Sequence, residues 1–404
     1  MYRRQRRRRR RVPLLFLLIP IVLIIVGSMF FVLNRGIISY RKGVKALQKE
    51  NYVEACQYLE KASLKMPDSQ AYQIAYGLSL TGKGEYEAAL KEFNKAISDK
   101  DTSKVQIQNK KAYRGIGICY FFAKNYENTI IYLDKALAIK ELDYLNLDIL
   151  KYKADAQTHL GEYESAVKIY SKIIEEEGYS ESIYLNRADA KSALGDIEGA
   201  NADYDYVISK SEHNYDAYLG AYMLLMNAGK DEKADSYLEA ALKIEPDTAD
   251  ERLKYAVIQY YFYGITDEAV ESLEKLIEQG QPEAYFYLAK IYYAEQELDK
   301  VSTYLKEYVS KEEVEHTAEA YEMLGRCAML VNDYDSALEW FETGIACGDS
   351  RWTQKLKKDQ IAVYEHLSDF SQAYIIAEEY LKAYPDDKEM LREMEFIKTR
   401  LSKE

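Results

Sequence analysis

Four histidines, His159, His213, His316 and His366, are the first residues to weigh for acid–base work in this 404-residue chain, because imidazole alone titrates near neutral pH without a perturbed environment. They lie in separate stretches with no matched partner and are read as edge or surface residues. No His-Glu-x-x-His or Gly-x-Ser-x-Gly pattern occurs, and the Gly77-x-x-x-x-Gly82-Lys83 run is followed by Gly84 and not by the Ser or Thr of a phosphate-binding loop. Gly82-Lys83-Gly84 and Gly115-Ile116-Gly117 are glycine-rich, yet no strand precedes either to build a phosphate cradle. The cysteines Cys56, Cys119, Cys327 and Cys347 form no Cys-x-x-Cys pair and read as small core thiols. Only Cys327 and Cys347 are close in sequence, and nothing in their spacing demands a disulfide. Asp203 with Asp205, and Glu175 to Glu177, lack calcium-loop spacing and read as solvated helix faces. The expectation is a chain that is not an enzyme, with no catalytic residue, cofactor, metal or small-molecule substrate.

Elements that could position any site must come from a composition that is 48% hydrophobic and 30% charged, with 6 Pro and 19 Gly. That balance favours a folded, helical chain. The formal charge is −13, and setting aside the eight arginines among residues 1–11 leaves −21 for the rest. Phosphate backbones repel so acidic a body, which argues against nucleic acid and for basic or neutral protein surfaces as partners. The arginine run has no interleaved aromatics on which bases could stack.

Residues 12–33, VPLLFLLIPIVLIIVGSMFFVL, carry no charge over 22 positions. A helix of that length spans about 33 Å, against about 30 Å of bilayer hydrocarbon. Pro13 falls in the first turn, where it is tolerated, and Pro20 is expected to kink the span. A cleaved secretory signal is the rival reading, but Asn34-Arg35-Gly36 offers no small-x-small site. The expected topology retains residues 1–11 in the cytoplasm, where arginine can meet anionic lipid, and places the chain from Gly36 onward on the other side.

Beyond the apolar segment a period of about 34 residues returns the same types at the same places. Units begin near residues 36, 70, 110, 147, 181, 215, 250, 282, 318 and 354. At the twentieth position stand Ala55, Ala89, Ala166, Ala200, Ala234, Ala269, Ala337 and Ala373, with Thr129 and Val301 departing. At the eighth stand Gly43, Gly77, Gly117, Ala154, Ala188, Ala289 and Gly325, with Tyr222, Val257 and Ile361 departing. Small residues at fixed places mark close helix crossings. Gly84, Gly161, Gly195, Gly229 and Gly264 mark turns that need left-handed backbone. Two residues later Tyr52, Tyr86, Tyr126, Tyr163, Tyr334 and Phe370 open a second helix, with Asp231 and Thr266 as exceptions whose junctions are expected to splay. Residues 104–109 read as the longest loop insertion, and residues 388–404 as a capping helix, with Met390, Met394 and Ile397 at helical spacing.

These residues resemble the tetratricopeptide repeat family over residues 36–387. The resemblance implies an all-α, right-handed solenoid of stacked two-helix repeats, here preceded by one transmembrane helix. It further implies a concave groove lined by first helices, in which peptides or helices of partner proteins lie. Projected onto this sequence, the groove residues are Arg114, Ile118, Phe121, Phe122, Leu185, Leu219, Met223 and Met226, then Ile258, Tyr261, Phe262, Phe286, Lys290, Tyr293, Arg326 and Met329. Family members that clasp a C-terminal carboxylate use lysine, asparagine and arginine there. The nearest run here, Lys151, Asp155, Asn186, Asp216 and Gly220, sets two acids against that use.

The layout resembles anchored bacterial envelope proteins, which implies a scaffold or adaptor at the cell membrane that binds proteins or peptides. Two alternatives stay open: a structural spacer or subunit of an envelope machine using its convex face, and an anchored receptor facing the cytosol for import or chaperone work.

Overall fold

The computed structural model describes residues 36–401 apart from 265, 312, 313 and 315. Among the described residues the regular structure is entirely helical, with no strand. The basic stretch 1–11 and the apolar segment 12–33 lie outside the described residues. Among those that are described, no helix is long and apolar enough to cross a membrane.

The chain forms two compact units divided at Ile149 and Leu150. In the first, α1 (residues 36–47) pairs with α2 (Tyr52–Lys65), α3 (Gln70–Gly82) with α4 (Tyr86–Ala96), and α5 (Ser103–Phe122) with α6 (Tyr126–Leu137). A short 3-10 turn, Asp143–Leu145, leads into α7 (Asn146–His159). The second unit holds the remainder of α7, α8 (Tyr163–Glu177), and the pairs α9 (Glu181–Ala193) with α10 (Ile197–Lys210) and α11 (Tyr215–Asn227) with α12 (Asp231–Ala241). It continues with α13 (Ala249–Tyr263) and α14 (Asp267–Glu278), α15 (Glu283–Ala294) and α16 (Leu298–Val309), and α17 (Ala318–Leu330) and α18 (Tyr334–Ala346). It ends with α19 (Ser350–His366), α20 (Phe370–Ala383) and α21 (Lys388–Leu401).

Within each pair the helices cross where a side chain is absent or small. Ala55, Ala89, Ala166, Ala200, Ala234, Ala269, Ala337 and Ala373 are wholly buried, as are Thr129 and Val301. A Cβ on Gly77 would stand 2.8 Å from the Phe93 ring, inside contact distance. Gly325 meets Phe341 in the same way. One residue's volume is thus exchanged for another's across the interface. α21 covers the end of the stack with Met390, Met394 and Ile397, all buried against Ile361, Ala373 and Ala377.

The turn inside each pair follows one rule that glycine only half reveals. The residue two before the second helix's opening position takes positive φ in Gly84, Gly161, Gly195, Gly229 and Gly264, and equally in Glu50, Lys124, Gln296, Asn332 and Ser368. In five turns the next residue caps the second helix. Asn51, Asn125, Asp196, Asp333 and Asp369 accept a hydrogen bond from the backbone N–H three residues on. Thr266 stands where an aromatic is usual, because it caps α14 instead, accepting from the Ala269 N–H at 3.2 Å. A cleft of about 510 Å³ opens at this pair, between Tyr255 and Ala256 of α13 and Ser272 and Leu276 of α14.

Residues 104–109 are not a loop. They form the first turns of α5, which begins at Ser103 after Thr102 caps it. Two buried polar residues fix this extension. The Asn109 side chain bonds both the N–H and the carbonyl of Ser98, at 3.1 and 2.7 Å. Lys110, wholly buried, donates to the carbonyls of Ile139 and Glu141 and to Asn146 Oδ1 at 2.7–2.9 Å. Three oxygens offset the desolvation of the ammonium, while burial holds its pKa below the usual lysine value.

Asp203 is likewise not on a solvated face. It is 4% exposed and is gripped by both Arg187, at 2.6 and 2.9 Å, and Lys191, at 2.8 Å. Its neighbour Asp205 accepts from the Tyr237 hydroxyl at 2.6 Å and from Asn201 at 2.7 Å. The four cysteines are free thiols, three buried and Cys347 half-buried. Burial pushes Cys119 and Cys327 up to about 11, which keeps them protonated and inert.

Candidate functional site

Projection of the repeat phase puts the expected groove residues at the fifth, ninth, twelfth and thirteenth places of their units, all on first helices. Exposure is greatest at the last two of these places. At the fifth place Arg114, Leu185 and Leu219 are half-buried and Phe286 is buried. At the ninth, Ile118 and Ile258 are buried, Met223 and Lys290 are half-buried, and Arg326 is exposed. Phe121, Tyr261, Tyr293 and Met329 are half-buried at the twelfth, where Met226 is exposed, and Phe122 and Phe262 are exposed at the thirteenth. Ile118, Ile258 and Phe286 therefore belong to the packing between helices and not to a surface, because aliphatic and aromatic side chains there fill the space between neighbours.

Several charged residues on this face pair between neighbouring first helices. Arg114 of α5 pairs with Asp148 of α7. In the second unit Lys254 of α13 reaches Asp216 of α11 at 2.6 Å and Asp250 of its own helix at 2.7 Å. Lys290 of α15 meets Glu319 of α17 at 2.9 Å and stands over the Phe286 ring. Glu322 of α17, 2% exposed, takes Lys355 of α19 at 2.8 Å and Arg326 at 3.5 Å. Asp359 lies beside this group with one carboxylate oxygen buried and unbonded. Burial first, and the Glu322 charge second, push its carboxyl up to about 6.

Tyrosines fill the space between these pairs. Tyr222 and Tyr261 have ring centroids 5.5 Å apart, and Tyr260 lies 5.2 Å from Tyr261. The Tyr287 phenol is held above its usual pKa by burial, with Lys290, Asp216, Tyr261 and Lys254 all acting on it. α11, α13 and α15 thus converge on one patch of phenols, ammonium groups and carboxylates. Its chemistry suits hydrogen bonding and cation–π contact; no nucleophile in it is paired with a base.

In the first unit the first-helix face carries a cleft of about 410 Å³. Tyr40, Val44, Ile74 and Leu78 supply its apolar lining, and Lys111 and Arg114 its basic side. Tyr40 and Tyr72 stack at 4.2 Å beside it. Only Arg114 of this set is foreshadowed by the groove projection. A signal for the rest of the ion-pair pattern does exist in the sequence: Arg114, Lys151, Lys254 and Lys358 share the fifth place of their units. Each meets an acid: Lys151 meets Glu177 at 2.8 Å, and Lys358 meets Asp387 and Glu389 at 2.9 and 2.8 Å.

The carboxylate-clasping arrangement is absent at the run where it was sought. Asp155 there accepts from the Tyr170 hydroxyl at 2.7 Å and from Asn186 at 3.2 Å, so the asparagine is engaged inside the fold. One cluster had no counterpart in the sequence reading. His213, Asp247 and Glu251 come together with one ligand atom each, all within 4.8 Å of one another.

The family model described as tetratricopeptide repeat matches residues 217–248, the stretch that contains most of α11 and all of α12. A TPR repeat-containing protein of Methanocaldococcus jannaschii is 30% identical over 159 residues, covering 38% of this chain and 27% of that protein. The match thus spans about a quarter of the curated relative's length. Among solved structures, a tetratricopeptide repeat protein from Parabacteroides merdae is 18% identical with a TM-score of 0.43, covering 63% of this chain and 99% of that one. The C-terminal part of a TPR repeat-containing protein from Cytophaga hutchinsonii is 15% identical with a TM-score of 0.45, covering 70% and 99%. Residues 217–248 thus match a tetratricopeptide repeat, in a chain whose paired helices cross at small buried residues.

Proposed function

We propose that this protein is a membrane-anchored scaffold or adaptor that holds partner proteins or peptides on the first-helix face of its repeats. Residues 12–33 act as the anchor and residues 1–11 as its cytoplasmic, lipid-facing flank, with the repeats on the opposite side of the membrane. The observation that carries the binding reading is the C-terminal end of the first helices, where Phe122, Met226 and Phe262 are exposed while charges beneath are paired. Aromatic, methionine and arginine side chains of this kind dominate protein interfaces.

The test is capture of partners by crosslinking in intact membranes. Truncating Phe122 and Phe262 to alanine, or reversing the charge of Arg326, is expected to cut recovery of crosslinked partners while helicity and melting stay near the parent's. Undiminished recovery would remove the groove from consideration. Protease added to intact cells or protoplasts is expected to digest the repeats, and full protection would reverse the topology.

A second reading draws on the turn edge of the second unit. Leu330 and Val331 are 62% and 68% exposed, and Tyr263 is 61% exposed, each at the end of a first helix. A subunit that contacts its assembly along this edge would lose partners on Leu330→Lys with Val331→Lys and keep them on Phe122→Ala.

A further inference from the structure

We propose that His213, Asp247 and Glu251 form a binding site for a divalent transition-metal ion, which would clip together two successive inter-repeat loops of the second unit. His213 lies between α10 and α11, and Asp247 lies between α12 and α13, one repeat period of 34 residues further on. Stacking of successive repeats brings such equivalent loop positions side by side. Glu251, in the first turn of α13, completes the set.

The geometry is close to that of a metal site. His213 Nδ1 stands 3.2 Å from Glu251 Oε2 and 4.0 Å from Asp247 Oδ2. Donors bound at about 2.0–2.2 Å to one small cation lie roughly 3 Å apart. The first separation already fits. The second closes by rotation of Asp247, whose side chain is 81% exposed and free to move. The Glu251 and His213 side chains are 19% and 37% exposed, so the ion would sit at the surface with open positions for water.

The local field must also be counted. The α13 N-terminus and Arg252, which donates to the Asp247 carbonyl at 3.2 Å, both oppose a cation. Glu251 Oε2 also accepts the Asp247 N–H at 2.8 Å. The two carboxylates offset the arginine and the helix terminus, and the imidazole supplies the nitrogen. One nitrogen and two oxygens select zinc, nickel or cobalt over calcium or magnesium, which prefer all-oxygen shells. The site stands independently of the partner-binding reading.

Isothermal titration of the full chain with Zn²⁺ and Ni²⁺ tests it, alongside Ca²⁺ and with His213→Ala and Asp247→Asn as variants. The expected result is one site for Zn²⁺ or Ni²⁺ that weakens by about tenfold or more in each variant, the scale on which even outer-shell partners act. Circular dichroism confirms that the variants are folded. Co²⁺ should give a spectrum without a thiolate charge-transfer band, which separates this site from the cysteines. Zinc should raise the parent's melting temperature and leave that of His213→Ala unmoved. Binding unchanged in His213→Ala, binding of Ca²⁺ as tight as of Zn²⁺, a thiolate band, or no saturable binding would each overturn the proposal.

Discussion

Left-handed backbone at one fixed place in every turn has a residue-level consequence. Gln296 is held at φ 61° where other turns use glycine, as Gly195 does at φ 78°. A side chain in that region costs about 1–2 kcal/mol, whereas glycine adds about 0.5–1 kcal/mol of unfolded-state entropy. Gln296→Gly is therefore expected to stabilise by up to about 1 kcal/mol, read as a higher denaturant midpoint with an unchanged slope. A lowered midpoint would show that the Gln296 side chain stabilises the turn by more than the strain costs. The glycines and the aromatic two places later are legible in the sequence. The five turns without glycine are not, because composition there gives no hint of the backbone they adopt.

At the element scale the docking of α21 depends on a carboxyl pair. Glu365 of α19 is pressed against Glu393 of α21, and one Glu365 oxygen is buried without a hydrogen-bond partner. Burial first, and then Glu393, raise the Glu365 carboxyl to about 7 from an ordinary 4.5. The folded state therefore holds a proton that the unfolded state releases. Stability gained from this group grows as pH falls from above about 7 toward the ordinary value and is absent at higher pH. Hydrogen exchange in α21 is expected to slow between pH 8 and pH 6 after correction for the intrinsic rate, and Glu365→Gln should flatten that dependence. An equally steep dependence in the variant would place the titrating group elsewhere. The apolar spacing of Met390, Met394 and Ile397 marks this helix in the sequence, but the pairing of two like charges appears only once α19 and α21 are packed. Residues 104–109 show the same limit. Their helical state depends on Asn109 and Lys110 finding hydrogen-bond partners up to 36 residues away.

At the scale of the whole molecule, the helices of each unit pack on their neighbours and next-but-one neighbours. Stability then behaves as a sum of local terms along the chain. Ala89→Leu, at a wholly buried crossing in the same core cluster as Phe93 and Ile116, is expected to destabilise by about 1–3 kcal/mol through overpacking. Exchange protection should fall in α3 to α5 and stay at the parent's level in α15 to α20. Uniform loss along the chain would contradict nearest-neighbour packing, and no loss at all would mean that Ala89 does not sit at a crossing.

The sequence by itself determined the helical class, the small-residue crossing points and the glycine turns, because a 34-residue period makes each local requirement recur until it stands out from composition. It also carried the charge split and the apolar segment, which need no fold to be read. Tertiary structure alone decided which first-helix residues reach solvent. Ile118 and Phe122 lie on the same helix, one buried and the other exposed, and only the placement of neighbouring helices separates them. It alone decided the pairing of Asp203 with Arg187 and the meeting of His213 with Asp247 and Glu251. Those contacts join different helices and loops, and a period read along one chain does not say which side chains stacking will bring within reach.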